Sequence, residues 1–368
     1  MVLRTPPARI QPFFGFRNED SLVISARALR SERAGFKSGG RWQAFRTMIS
    51  QFASREVSGL DVRLEIERGD GAKFDHHGVT DREGFVHFEV SLDGAWPRSD
   101  HTRWEVVALH WHNDDGDQCV EGHVLTPGEH ARLGIISDID DTIIETGITG
   151  NFRSLVRNWR RVLAELPDER IAVPGADAFY GALGGGRLLD PGAARIGEGA
   201  LATHHPFFYV SSSPWNLFSY LVAFKQSRGL PLGPVMLRDW GLDAETFGSS
   251  SHGAHKREAI AAILAHYPHL RFALIGDDTQ GDLPAYGDIV AANPSRIAAV
   301  FIRTIAGSDL SPEEIAAKAI IEAAGVPLWL GSDYATGQSF LRAVGLMGDG
   351  EAEKIVEAVE KSGKAAAG

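Results

Sequence analysis

Over the first third of the chain, apolar and polar positions alternate. Residues 57–69 (VSGLDVRLEIERG), 85–90 within REGFVHFEVSL and 104–112 (WEVVALHWH) each place every second side chain on one face, with Gly and Asp clusters between the runs. A period of two belongs to half-buried strands. The region 1–130 is therefore expected to form a small antiparallel β-sandwich domain, with one helix over 45–53 packed beside it. No internal repeat accompanies these runs.

The pattern changes near Ala131. Short apolar runs at 133–137, 207–210, 235–237, 272–275 and 299–302 now alternate with helical spacing. Runs of this kind suit a parallel sheet covered on both faces, so 131–348 reads as an α/β domain. Ser213-Pro214 gives a helix N-cap followed by proline, and Leu217, Leu221 and Phe224 share a face up to Gly229. Ser311-Pro312-Glu313-Glu314 is a capping box for a helix closing at Gly325. The Gly/Ala-rich stretch within 181–205 reads as a surface loop and 349–368 as a C-terminal tail.

Composition narrows the class. Hydrophobic residues make up 43% and charged residues 23%, as in soluble globular proteins. No apolar stretch reaches bilayer-spanning length, and residues 1–16 lack the continuous apolar core of a signal peptide. A single cysteine, Cys119, excludes an internal disulfide and a multi-cysteine zinc site. It is expected to be a small buried hydrophobe in a reducing, cytoplasmic compartment. Acidic residues outnumber basic ones 48 to 37, a net charge of −11, which argues against nucleic-acid partners and general attraction to anionic lipid. The locally basic segment 153–161 (RSLVRNWRR) reads as a solvated helix face.

Four segments carry candidate chemistry. In GIISDIDDTIIETGITG an apolar run delivers Asp138, Asp140 and Asp141 to a strand end, where open parallel sheets bind ligands. Crowded carboxylates call for a cation, and oxygen donors on short side chains suit Mg2+. In FFYVSSSPW a second strand presents Ser211 and Ser212 where hydroxyls and backbone N–H groups hold a phosphoryl group. In SHGAHKREAI, Lys256 is expected in the first turn of a helix, against the dipole unless an anion is near. In FALIGDDTQGDLPAY a further strand ends in Asp277 and Asp278, with Asp282 one turn on. Each segment taken singly is explained as well by helix capping or by a surface lysine. Two acidic strand ends in one sheet are not.

In type, order and strand context these segments resemble the motifs of the haloacid dehalogenase superfamily. More narrowly, DIDDTI, FFYVSSSPWNLF, GLPLGPVMLRDWG, HKREAI and LIGDDTQGD are similar to the catalytic domain of the actin-patch-associated phosphatidate phosphatase family, as is GVPLWLGSDYATG near the end. The resemblance implies a Rossmann-like parallel sheet of the haloacid dehalogenase type and a Mg2+-dependent phosphatase. Asp138 would be the nucleophile and Asp140 the acid/base. Thr142, Ser211, Ser212 and Lys256 would bind phosphate. The metal would lie among Asp138, Asp140, Asp277, Asp278 and Asp282. The family has serine and glycine where this chain has Asp278 and Thr279, so either Asp277 or Asp278 can be the direct ligand.

The implied partner is a phosphorylated substrate, with phosphatidate or a related lipid at a membrane surface as the leading form. The alternatives are a soluble phosphate ester, or a scaffold with a vestigial phosphatase core. His110 and His112 share a strand face but have no evident third ligand, and His76-His77 adjoins a turn. His252 and His255 precede Lys256 closely enough for one to contact substrate.

Overall fold

The computed structural model describes residues 6–30, 55–92, 96–139, 175–185, 200–238, 249–278, 281–304 and 309–346. The expected helix over 45–53, the basic segment 153–161, most of the loop within 181–205 and the tail 349–368 lie outside them. The chain divides into two units. One comprises Met1–Glu129 with Arg195–Leu201 and Asn216–Leu221, the other His130–Ala194, Ala202–Trp215 and Val222–Gly368.

The first unit is built on strands β1 (Ala8–Pro12), β2 (Gly15–Arg17), β3 (Ser21–Arg30), β4 (Arg55–Glu56), β5 (Asp61–Glu67), β6 (Lys73–Val79), β7 (Phe85–Ser91), β8 (Arg103–Asn113) and β9 (Gly116–Thr126). With the two-residue strand Ala200–Leu201, paired to β8, they join in one ten-stranded sheet. The alternating runs form strands as expected: in β5, Val62, Leu64 and Ile66 are buried while Asp61 and Glu67 are exposed. These side chains meet Ile24, Phe88, Leu109 and Val124 in one core. The sheet is mixed, because β2 runs parallel to β9. A period of two reports which side chains face inward and carries no record of a neighbour's direction.

Cys119 is exposed, against the expectation of a buried hydrophobe. It sits opposite His110 on the outward side of the β8–β9 ladder. Two positions along the same face, His112 lies 2.8 Å from Asp117, so this side is polar and solvated.

The second unit holds a six-stranded, wholly parallel sheet. Numbering the Ala200–Leu201 strand β11, its members are β10 (Leu133–Asp138), β12 (Phe207–Pro214), β13 (Val235–Arg238), β14 (Arg271–Asp277), β15 (Ile297–Arg303) and β16 (Leu328–Gly331). They lie in the order β13-β12-β10-β14-β15-β16. Every residue of β10 is buried, as in a strand covered on both faces. The order reverses between β10 and β14, which makes their carboxyl ends the natural crevice for a ligand.

The helices are α1 (Ala176–Leu183), α2 (Phe218–Ser227), α3 (Ser249–His266), α4 (Asp282–Ala292), α5 (Pro312–Ala323) and α6 (Tyr334–Ala343). The α5 capping box forms as read, with Ser311 and Glu314 exchanging bonds of 3.3 and 2.7 Å, and Gly325 follows at φ +68°. Two helix starts differ from expectation. Pro214 still belongs to β12 and pairs with Arg238, so α2 begins only after a short 3-10 turn at Trp215–Leu217. Pairing with β10 has already ended at Val210, so the missing proline N–H leaves no ladder bond unmade on that side. Lys256 lies seven residues into α3 and does not open it.

Candidate active site

The ends of β10 and β14 bring three carboxylates together. Asp138, Asp277 and Asp282 are all buried, and each offers an oxygen within 4.8 Å of the others'. Asp138 and Asp277 arrive as strand-terminal residues. Asp282 arrives as the first residue of α4, where the helix N-terminus favours negative charge. Gly281, at φ +76°, provides the left-handed step into that helix.

Lys256, 1% exposed, reaches into this cluster from α3. Its Nζ lies 2.9 Å from Asp138 Oδ1 and is hydrogen-bonded to Asp282 Oδ1. The other oxygen of Asp282 accepts the Asp277 backbone N–H at 3.1 Å. Asp282 therefore ties the lysine to the end of β14. Burial pulls the lysine pKa down, but attraction to Asp138, Asp282 and Asp277 outweighs it and holds the group charged, well above the ordinary value.

The close approach of Asp282 depends on Gly276. A Cβ at that position would overlap the Asp282 side chain, so the glycine of Gly276-Asp277 has a packing reason to be there. Nothing in the sequence around Gly276 gives it a chemical role of its own. Nor does the sequence single out Ser137 or Tyr180, which sit behind Asp138 (Ser137 Oγ donates to the Asp138 carbonyl at 2.6 Å).

Of the other expected residues, Ser211 is fully buried one step beyond the Asp138–Val210 pairing. Ser212 follows it in β12. Asp278 stands apart from the buried carboxylates: it is half-buried, and its N–H donates to the Arg303 carbonyl at 3.1 Å. Asp140, Thr142 and His252's side chain lie outside the described residues. Among the described residues the carboxylate group is the one gathering of potential metal ligands. Buried hard oxygen donors that outnumber the single ammonium group fit a small divalent cation such as Mg2+.

Residues 133–304 match the family model described as "Phosphatidate phosphatase APP1, catalytic domain". That span contains every site residue named above. The chain is also similar to phosphatidate phosphatase APP1 of Saccharomyces cerevisiae, 28% identical over 266 residues, which are 71% of this chain and 40% of that protein. An uncharacterized protein of Schizosaccharomyces pombe is 27% identical over 174 residues, 47% of this chain and 25% of its own length. The chain thus spans less than half the length of these relatives. A Bifidobacterium dentium beta-glucuronidase structure covers 89% of this chain and 60% of its own, at 10% identity and a TM-score of 0.25, too low to carry an argument. The family match and the yeast relative support the phosphatidate phosphatase resemblance drawn from the motifs.

Proposed function

We propose that this chain is a Mg2+-dependent phosphoric monoester hydrolase acting through an aspartyl phosphate on phosphatidate or a related lipid phosphate. The observation that carries the reading is the buried set Asp138, Lys256, Asp277 and Asp282 at the switch point of a parallel sheet. The family match over 133–304 supports the substrate class. In the finer reading the parallel sheet is of the Rossmann-like haloacid dehalogenase type, and the first unit is a β-sandwich-like accessory domain. The chain works in the cytoplasm, peripheral to a membrane. No helix among the described residues is long and apolar enough to cross one.

Asp138 attacks phosphorus in line, so an Asp138 O–P bond forms as the ester P–O bond breaks. Asp140 protonates the departing alkoxide, then takes a proton from the water that hydrolyses the aspartyl phosphate. Lys256 and Ser211 neutralise and hold the equatorial oxygens, with Ser212 and Thr142 supporting them. Asp138 and Asp277 would ligate Mg2+ with the Asp140 carbonyl, while Asp282, occupied by Lys256 and the Asp277 N–H, holds the lysine in place. When bound, the ion supplies positive charge to the phosphate oxygens.

The test is phosphate release by the purified protein from phosphatidate in mixed micelles and from an aryl phosphate, with Mg2+ and with chelator. Release from phosphatidate should depend on Mg2+, and Asp138→Asn should lower it by at least about a thousandfold. Full activity in that variant overturns the nucleophile assignment. Release from the aryl phosphate alone keeps the chemistry and removes the lipid substrate.

A further inference from the structure

A chain of buried hydroxyls runs from α6 to the peptide that follows Asp138. Ser137 Oγ donates to the Asp138 carbonyl at 2.6 Å and lies 2.7 Å from Tyr180 Oη. A serine hydroxyl has one proton, and here it is committed to the carbonyl, so Tyr180 donates to Ser137. Tyr180 is hydrogen-bonded in turn to Tyr334. All three side chains are buried, Ser137 and Tyr180 completely.

Packing alone does not explain these hydroxyls. Tyr180 stacks near Phe207, and Tyr334 stacks on Phe179 and Trp329, surroundings in which phenylalanine would do as well. A buried hydroxyl costs free energy unless it is bonded, and this chain of bonds ends at one backbone carbonyl. That carbonyl lies where the sheet runs out. Pairing of β10 ends with β14 at Ser137–Ile275 and with β12 at Asp138–Val210. A side chain, Ser137, therefore orients the Asp138 carbonyl at the point where the ladders stop.

We propose that Tyr180, seated against Tyr334 and acting through Ser137, is a positioning residue that fixes the Asp138 peptide and so the line along which its carboxylate meets phosphorus. The proposal rests on the phosphatase reading. Small errors in the aim of a nucleophile cost rate without weakening substrate binding. It also gives a role to the GVPLWLGSDYATG segment, whose tyrosine is Tyr334.

Tyr180→Phe removes the hydroxyl and keeps the ring, while Ser137→Ala cuts the link. Each is expected to lower kcat about tenfold with KM within about twofold, and the double variant should be no slower than Ser137→Ala alone. Amide hydrogen exchange at Asp138 and Ile139 should accelerate by a similar factor in all three. Unchanged kcat and exchange in Tyr180→Phe, effects that multiply, or a loss confined to KM would each overturn the proposal. If Tyr180→Phe does not fold, Ser137→Ala decides by the same readings. A wild-type protein that releases no phosphate from either ester overturns the phosphatase reading instead, and the exchange rates then decide the positioning role alone.

Discussion

Lys256 and Lys225 are both fully buried lysines of the second unit, yet their surroundings set them in opposite states. Lys256 is held charged by carboxylates. Lys225, on α2, has no hydrogen-bond partner for its Nζ among the described residues and lies 3.7 Å from the centroid of the Tyr209 ring. Burial pushes its pKa down to about 7 from 10.5. The unfolded chain binds that proton up to pH 10.5 while the folded one releases it near 7, so stability rises with pH between those values. Lys225→Met should raise stability at pH 7 by on the order of 2 kcal/mol and flatten the rise above it. Thermal melts at pH 7 and 9 check this, and a lower melting temperature in the variant defeats it. At this scale the sequence exposed the acids, because strand-end carboxylates stand out against apolar runs. It could not show that Asp282 binds Lys256 or that Tyr180 bonds Ser137 behind Asp138, since those contacts join residues 26 and 43 positions apart.

Among elements, β2 and β8 are joined by a charge pair. Arg17, 2% exposed, donates to both oxygens of Glu105 at 2.5 and 2.8 Å, and also to the Pro97 carbonyl. Burial raises the Glu105 pKa, but the Arg17 bonds and charge outweigh it and leave the carboxyl below its ordinary range. Arg17→Met would leave Glu105 with Arg103 as its one cationic partner among the described residues, and should destabilise the protein by about 2–4 kcal/mol. Urea denaturation measures this, and a loss under about 0.5 kcal/mol, the scatter of ordinary surface changes, would remove the pair from the account. Of the strands in this sheet, β5, β7 and β8 were legible from alternation. The parallel β2–β9 pair and the late start of α2 were not, because partner direction and the end of a neighbouring ladder are not written in one segment's periodicity.

For the whole molecule, several half-buried groups make stability fall in acid. His205 and His266 are both pushed down from 6.5 to about 4 by burial, His205 further by His204. The unfolded chain takes up protons below pH 6.5 that the folded one refuses until about 4, so stability is lost across that window. The depressed Glu105 adds a loss at still lower pH. Stability should therefore drop by a few kcal/mol between pH 7 and 4, and His205→Gln should shrink the drop. A flat pH–stability curve over that range would contradict the assignment.

The sequence by itself determined the strands β5, β7, β8, β10 and β12–β15, the capped helix α5, that the second half forms a parallel sheet, and that Asp138 and Asp277 end two of its strands. Hydrophobic period and capping chemistry act within a few residues, so they are readable without a fold. The tertiary structure decided the rest: the order β13-β12-β10-β14-β15-β16, the choice of Asp277 over Asp278 for the buried cluster, and the exposure of Cys119. It also decided the glycine clearance under Asp282 and the hydroxyl chain behind Asp138. Each depends on which distant segments share a space, and burial converts those meetings into altered charge states and fixed orientations.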